Sequence, residues 1–560
     1  MNGITKSITF LKEYKQLKQA VDEGKTPVLA VGLSAIHKAH LAAALGLDTD
    51  RPVLVLTDDD NAANRFAADL RGFSERDIVQ LPSRELVMAD VVGVSRGYEQ
   101  RRLAALDELT EAHFAVASVQ AAAQRTMPPE ALKAAIVSLA TGETAPLDEL
   151  AQSLTRAGYE RCVQVEGTGQ FSIRGGILDV FPPQAEHPYR VEFWDDEIDS
   201  ISTFDVGSQR RLEQCECLRC LPCMESIPAL AKGGAAGLAK AVLALTSTRR
   251  KKQHADLQTN LERDAERLRE TGSLPAADKY MPLIYPEMAT AFDYLPENAI
   301  VIIEDTPRLR DAVRDFHARV ADDVTALLER GEMPPALGEY ALDFVGVCSV
   351  KRQILRLDSF LNNVAELTPQ HLENFIANQM NAYGGNLDMA SADIRSYTEQ
   401  GRAVAVVCGS ALRCQNMLDA LTDTGLNVKI SDLLPKGGCV NIMEGTLSAG
   451  FEYPDLGLVV MTEGQVLARR KKTQVKKSNR DKVKSYTDLT PGDLVVHEHH
   501  GIGRFIGMER MTVDGSERDF IKIAFAGTDF LYVPATSLDL ISKYIGGGDN
   551  ERARLNKLGG

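Results

Sequence analysis

The segment GLSAIHKA, Gly32 to Ala39, has the spacing of a phosphate-binding loop, G-x-x-x-x-G-K-[ST]. In such a loop the glycines let backbone N–H groups approach the phosphates. The lysine meets the outer phosphates, and the Ser or Thr hydroxyl holds Mg²⁺. Gly32 and Lys38 are in place, but His37 stands at the second glycine and Ala39 at the hydroxyl. A side chain at 37 obstructs the cradle and resists the turn geometry that glycine permits. Ala39 removes the metal ligand. One charged hydrogen bond contributes about 1.5–3 kcal/mol, so Lys38 does not make up for both losses. Two readings are open: an ordinary strand-to-helix turn, and a nucleotide site with an unusual loop. In the second, Glu304 and Asp305, closing the apolar run IVIIED, would be the acidic strand end that faces the metal. Buried strands that end in acids are common without any metal.

Three other groupings have side chains capable of chemistry. Cys215, Cys217, Cys220 and Cys223 crowd into one short segment, CECLRCLPC. Structural zinc sites pair two C-x₂₋₄-C units across a loop, so a structural role is expected and no metal site is assigned. His497, Glu498, His499 and His500 form HEHHG, with no further ligand cluster evident. The tract ARRKKTQVKKSNRDKVKS carries Arg469, Arg470, Lys471, Lys472, Lys476 and Lys477. It could touch DNA phosphates without regard to sequence, but it lacks interleaved aromatics for base stacking, so a solvated linker is the alternative. No Ser-His-Asp or Cys-His arrangement stands out.

The elements that would position these residues change character along the chain. Its 560 residues imply several domains. A composition of 44% hydrophobic and 25% charged residues is that of an ordinary globular protein. No apolar run approaches the ~20 residues of a membrane span, and the start does not resemble a signal peptide. Nine cysteines in no regular framework suit a reducing cytoplasm. A net charge of −15 excludes a protein that coats nucleic acid with its whole surface. TPVLAVG, RPVLVLTDD and HFAVASVQ, each followed by an alanine-rich helical pattern, predict a parallel sheet with crossover helices. FSIRGGILDVFPP and YRVEFWDDEIDSISTFD alternate as strands do. Helical patterns return with QTNLERDAERLRET, interrupted by the strand NAIVIIEDTP. AVAVVCGSALRCQNMLDAL predicts a further strand, turn and helix, and short strands with Gly turns from Tyr486 predict a small barrel.

The long stretch AGYERCVQVEGTGQFSIRGGILDVFPP, followed by YRVEFWDDEIDSISTFD, resembles the second domain of UvrB excision-repair proteins and of transcription-repair coupling factors. PSRELVMADVVGVSRGYEQRRLAALDEL falls where UvrB carries a DNA-clamping hairpin, and no such insertion is present. LTPGDLVVHEHHGIGRFIGMERM and DFLYVPATSLDLISKYIGG resemble the polymerase-interacting domain of coupling factors and the amino-terminal domain of CarD-type regulators. The coupling factors, which have a degenerate loop and lack the hairpin, are the better match.

That resemblance implies a multi-domain α/β chain. A degenerate RecA-like domain would occupy 1–150 and 236–345, with a β-rich UvrB-type domain inserted at 151–235. A third α/β domain would span 346–468, a basic linker 469–485, and a small Tudor-like β-barrel 486–546. Residues 547–560 would link to a motor that lies outside this chain. The implied function is that of an adaptor in transcription-coupled excision repair. The expected partners are UvrA, the RNA polymerase β subunit and duplex DNA, the last mainly through the motor. ATP and Mg²⁺ are expected only in that motor, with no cofactor, metal or catalytic residue in this chain, and the location is cytoplasmic. The matching UvrA-contact positions are Arg161, Arg174 and Phe181, with Asp179 flanking them by strand parity; Phe181 as a core residue stays open. The matching polymerase-contact positions are Met511 with Glu509, Arg510 and Thr512, and Lys522 on the next strand; Met511 as barrel core stays open. Two alternatives remain, a UvrB-like nucleotide-dependent ATPase and a CarD-type transcription regulator.

Overall fold

The computed structural model describes residues 2–88, 96–245, 255–334, 337–380, 383, 386–433, 437–467, 480–482, 492–497, 501–513, 516–525, 530–534 and 541–544. They fall into two units, Met1–Leu467 and Ala468–Gly560.

At the centre of the first unit is a seven-stranded sheet in the order His371–Asn374, Val28–Val31, Gln353–Leu357, Ile300–Glu304, Val53–Thr57, Phe114–Ser118, Ile78–Leu81. Every pairing is parallel. Alternate residues of the central strands enter two different cores. Val53, Val55, Ile300 and Ile302 pack on one face, and Leu54, Leu56, Val301 and Ile303 on the other. A sheet buried on both faces explains why these strands are continuous apolar runs. The three strands absent from the sequence reading, Ile78–Leu81, Gln353–Leu357 and His371–Asn374, carry Gln, Arg, His and Glu that mask the apolar pattern.

The inserted β-rich body is a six-stranded sheet in the order Arg211–Cys215, Glu197–Phe204, Tyr189–Trp194, Ile177–Val180, Gln170–Arg174, Glu160–Arg161. Its core gathers Phe171, Leu178, Val180, Val191 and Ile201. Segments on the amino-terminal side of the expected boundary at 150/151 also join this body. Val137–Ala140 pairs with Cys217–Cys220, and Leu150 and Leu154 join the same core. The boundary would also cut the helix Leu147–Arg156.

Gln353–Leu357 and His371–Asn374, beyond the expected boundary at 345/346, belong to the seven-stranded sheet. A mixed six-stranded sheet follows, Asn378–Gln379, Phe451–Tyr453, Leu458–Thr462, Ala403–Cys408, Val440–Glu444, Val428–Ile430. Its Ala405, Val407, Phe451, Tyr453 and Val460 share one core with the helix Ala35–Thr49 and the first sheet. That helix is therefore covered on opposite sides, and every residue from Ile36 to Gly46 is buried. An all-round apolar helix is expected only in such a place. The contact is close: a β-carbon on Gly72 would lie 2.4 Å from the Thr446 carbonyl oxygen. Asp69 accepts from the Ser448 backbone N–H at 2.8 Å and from its hydroxyl at 2.7 Å.

Two histidines of this helix lie at the junction. His40 reaches the carbonyls of Ile4 and Thr5 at 2.9 and 3.0 Å through Nε2, and the Tyr453 hydroxyl lies 3.2 Å from its Nδ1. His37 packs edge-on against Phe451 and Tyr453. Burial lowers His37 to about 3 and His40 to about 4. The unfolded chain then binds more protons than the folded one below the ordinary histidine value near 6.5. This stability is fully present above that value and is lost as pH falls toward 4. Urea midpoints of the chain between pH 7 and 4.5 should fall, and fall less in a His37→Phe variant. Equal slopes in the two proteins would refute the assignment.

The second unit is an antiparallel six-stranded sheet in the order Arg480–Lys482, Ile541–Tyr544, Leu494–His497, Gly501–Val513, Ser516–Ala524, Phe530–Pro534. Its core is Val495, Phe505, Ile521, Ile523, Phe525 and Val533.

Candidate functional site

The turn after Val28–Val31 consists of Gly32, Leu33 and Ser34, and the helix begins at Ala35. Gly32 adopts φ +83°, and a β-carbon there would lie 2.2 Å from the Phe375 carbonyl oxygen. The following chain thus occupies the space beside the loop. Lys38 is 3% exposed and points inward, its Nζ 3.7 Å from Glu304 Oε1 and 3.4 Å from the Ser359 hydroxyl. His37 Nδ1 lies 2.7 Å from the Ser34 hydroxyl, and Ala39 is fully buried. Burial holds the Glu304 carboxyl above the usual range, against the pull of Lys38. Asp305, at φ +58°, caps the helix Thr306–Glu329 by accepting from the Arg308 N–H. These residues do not fit a magnesium triphosphate. The lysine is paired inside the protein, one carboxylate is its partner, the other is a helix cap, and the cradle is filled.

The outer face of the inserted β-rich sheet is different. Cross-strand register places Ser172, Asp179, Arg190 and Ser202 in one row. Asp179, expected to flank the patch by strand parity, has a side chain that is 1% exposed. It lies beneath two guanidiniums. Arg190 Nε and Nη2 donate to it at 2.7 and 2.9 Å, and Arg174 Nη2 at 2.8 Å. Arg190 also stacks over the Phe204 ring at 4.6 Å, and the Asp179 hydrogen bond holds its guanidinium above the ordinary value. Arg174 keeps half of its side chain exposed. Arg161 is exposed on the edge strand Glu160–Arg161. Phe181 follows Ile177–Val180, half-buried and outside the core cluster. The structure therefore brings Arg174 and Asp179 together and adds Arg190, which the sequence reading missed. Nothing in the connecting PPQAEHP fixes the register that sets Arg190 against Asp179.

In the second unit the hairpin of Gly501–Val513 and Ser516–Ala524 outruns its neighbours. Along that long strand, Leu494–His497 pairs with Gly501–Arg504 alone. From Gly507 to Val513 the other side of the strand faces no strand among the described residues. Such an edge offers backbone donors and acceptors to an added strand. Met511 stands opposite Arg518, and Glu509 opposite Phe520. Lys522 Nζ reaches Glu509 Oε2 at 2.8 Å and sits over the Phe530 and Tyr532 rings at 4.9 and 5.3 Å. The side chains of Arg510, Met511 and Thr512 lie outside the described residues, as do the basic residues 469–477, Glu498, His499, His500, the side chain of His497 and residues 547–560.

Of the crowded cysteines, Cys217 is exposed, Cys215 half-buried, and Cys220 and Cys223 are in the core. Burial pushes the Cys220 thiol up to about 12. Among the described residues, no three His, Cys, Asp or Glu side chains are grouped to hold a metal ion. No helix among them is long and apolar enough to cross a membrane.

Both surfaces coincide with family matches. The family model described as the UvrB interaction domain matches residues 137–225. The model described as the CarD-like/TRCF RID domain matches residues 489–545. The chain is similar to the transcription-repair-coupling factor of Bacillus subtilis, at 32% identity over 573 residues, covering 99% of this chain and 48% of that protein. For that of Staphylococcus epidermidis the identity is 27% over 566 residues, covering 97% and 47%. For that of Staphylococcus haemolyticus it is 28% over 553 residues, covering 96% and 46%. The chain spans about half the length of the curated relatives it matches.

Proposed function

We propose, from the premise that this chain belongs to the transcription-repair coupling factors, that it works as a two-faced adaptor in transcription-coupled nucleotide excision repair. One face is the edge Gly507–Val513, which takes up a strand of the RNA polymerase β subunit, with Met511 as the apolar contact and Glu509, Arg510, Thr512 and Lys522 around it. The other is the outer face of the β-rich body, which recruits UvrA through Arg161, Arg174 and Phe181. Asp179 acts from below by holding Arg174 in place. In this reading the seven-stranded body is a RecA-like domain whose nucleotide site has closed, and the second unit is a Tudor-like barrel. ATP, Mg²⁺ and translocation on duplex DNA belong to the motor of the whole family protein, which acts in the cytoplasm. The basic tract adds at most sequence-blind contact with DNA.

The observation that supports this best is a strand edge, unpaired among the described residues, lying within the residues matched by the polymerase-interacting domain. Backbone groups left unsatisfied on a defined edge are a binding capacity, and the alternate side chains select the partner. A reciprocal binding experiment tests both faces. Met511→Arg should weaken capture of polymerase β subunit at least about tenfold and leave UvrA binding unchanged. Arg174→Ala should do the reverse. If either substitution reduces both partners equally, or neither, the assignment of two separate faces fails.

A further inference from the structure

The outer face of the β-rich body carries a second exposed feature that the docking reading does not use. Trp194 is the one tryptophan of the chain, and it is 81% exposed. It ends the strand Tyr189–Trp194 at the tip of a hairpin, opposite Glu197. A large aromatic surface left in water forgoes the burial that normally makes tryptophan stabilising. Its position is not a loose end. Asp195 turns the hairpin at φ +57°. The tip is fastened to a neighbouring segment by Ala145 N–H to Asp196 O at 2.8 Å, Gly142 N–H to Ile198 O at 2.8 Å and Ile198 N–H to Glu143 O at 2.9 Å.

Register places the tryptophan on the same side of the sheet as Arg174. Arg174 stands opposite Ile177, and Ile177 opposite Glu192. Trp194 is two residues beyond Glu192 and shares its face. Phe193 N–H donates to the Gly176 carbonyl at 2.8 Å, which ties the hairpin tip to the turn adjoining Arg174. Two strand spacings and two residues along a strand separate the positions, about 12 Å between α-carbons. The inward neighbours Val191 and Phe193 belong to the core side, so Trp194 cannot turn into the core without breaking this alternation.

We infer that Trp194 is an aromatic anchor of the UvrA-docking face, filling an apolar pocket of the partner while Arg174 meets a carboxylate about 12 Å away. This rests on the proposed docking of UvrA to the same sheet face. A rigid, pre-placed tryptophan loses little freedom on binding, and its rim of Asp195, Asp196 and Glu197 keeps the tip soluble until a partner covers it. The chemistry fixes the partner's requirement: an apolar cleft flanked by acid on the Arg174 side.

The single tryptophan makes the test direct. The whole chain is labelled with 5-fluorotryptophan and titrated with unlabelled purified UvrA, with the one ¹⁹F resonance observed. Affinity is measured in parallel for wild type, Trp194→Ala, Trp194→Phe and Arg174→Ala, each checked for an unchanged melting temperature. The expected result is a shifted, broadened resonance, at least about tenfold weaker binding for Trp194→Ala, and substantial recovery in Trp194→Phe. If UvrA binds, Arg174→Ala weakens it, and yet the resonance stays put and Trp194→Ala binds as wild type, the anchor is overturned and the docking face stands. If wild type does not bind UvrA at all, the docking face itself is overturned, and the anchor with it.

Discussion

Glu304→Leu should destabilise the first unit by about 3–5 kcal/mol, the usual cost of leaving a buried charge without its partner. Lys38 is 3% exposed and lies 3.7 Å from Glu304, with the Ser359 hydroxyl at 3.4 Å as its other polar side-chain contact among the described residues. Lys38→Met should cost much less. Burial already holds the Glu304 carboxyl above the usual range, so it can take a proton once the lysine is gone. The double variant should recover most of the loss, since well-packed apolar residues replace buried ion pairs at little or no cost. Urea denaturation of the four proteins gives the coupling directly. A working phosphate loop behaves otherwise: its lysine is held for a ligand, and removing it costs nucleotide binding more than fold. Calorimetry with Mg-ATP on wild type should accordingly show no heat of binding. Micromolar binding abolished by Lys38→Met would restore the nucleotide-site reading.

Glu225→Ala should cost a similar 3–5 kcal/mol through a different mechanism. Glu225 is the last residue of the matched interaction domain, where the chain re-enters the seven-stranded body. Its carboxylate is fully buried, 2.8 Å from Arg84 Nε and 3.1 Å from Arg102 Nε, and it accepts from the Thr126 hydroxyl at 2.6 Å. Its backbone N–H donates to Glu99 at 2.7 Å. Arg84 is also paired with Asp278 at 2.6 Å, and Asp278 accepts from the Ser226 hydroxyl at 2.6 Å. Without Glu225, Arg84 keeps Glu99 and Asp278, whereas buried Arg102 is left with the Pro82 and Ala121 carbonyls. The β-rich body has its own core, so it should survive the change. The expected thermal profile has two transitions, the body around Arg84 melting first. A single transition at the wild-type temperature would mean that the cluster is not what joins the inserted body to the sheet.

How far each feature was legible depends on whether neighbours along the chain decide it. The strands Val28–Val31, Val53–Thr57, Phe114–Ser118 and Ile300–Glu304 are unbroken apolar runs, and burial on both faces leaves such runs no other place. The departure from a phosphate loop was legible at His37 and Ala39, because that chemistry needs glycine and hydroxyl at those positions. The two segments that the family models match were legible from long motifs. The pairings of Val137–Ala140 and His371–Asn374 were not, because these strands owe their place to partners far along the chain.

Residue types and spacing alone thus determined the class of the fold and the departure from a phosphate loop, while long motifs pointed to the two segments that the family models match. Only the tertiary structure decided what the leftover charges do. Lys38 turns inward to Glu304, Asp179 sinks beneath Arg174 and Arg190, and Trp194 is left in water. The reason is that a charge's role follows from its partner and its depth. Strand register and sheet-on-helix packing set both, and no local pattern encodes either.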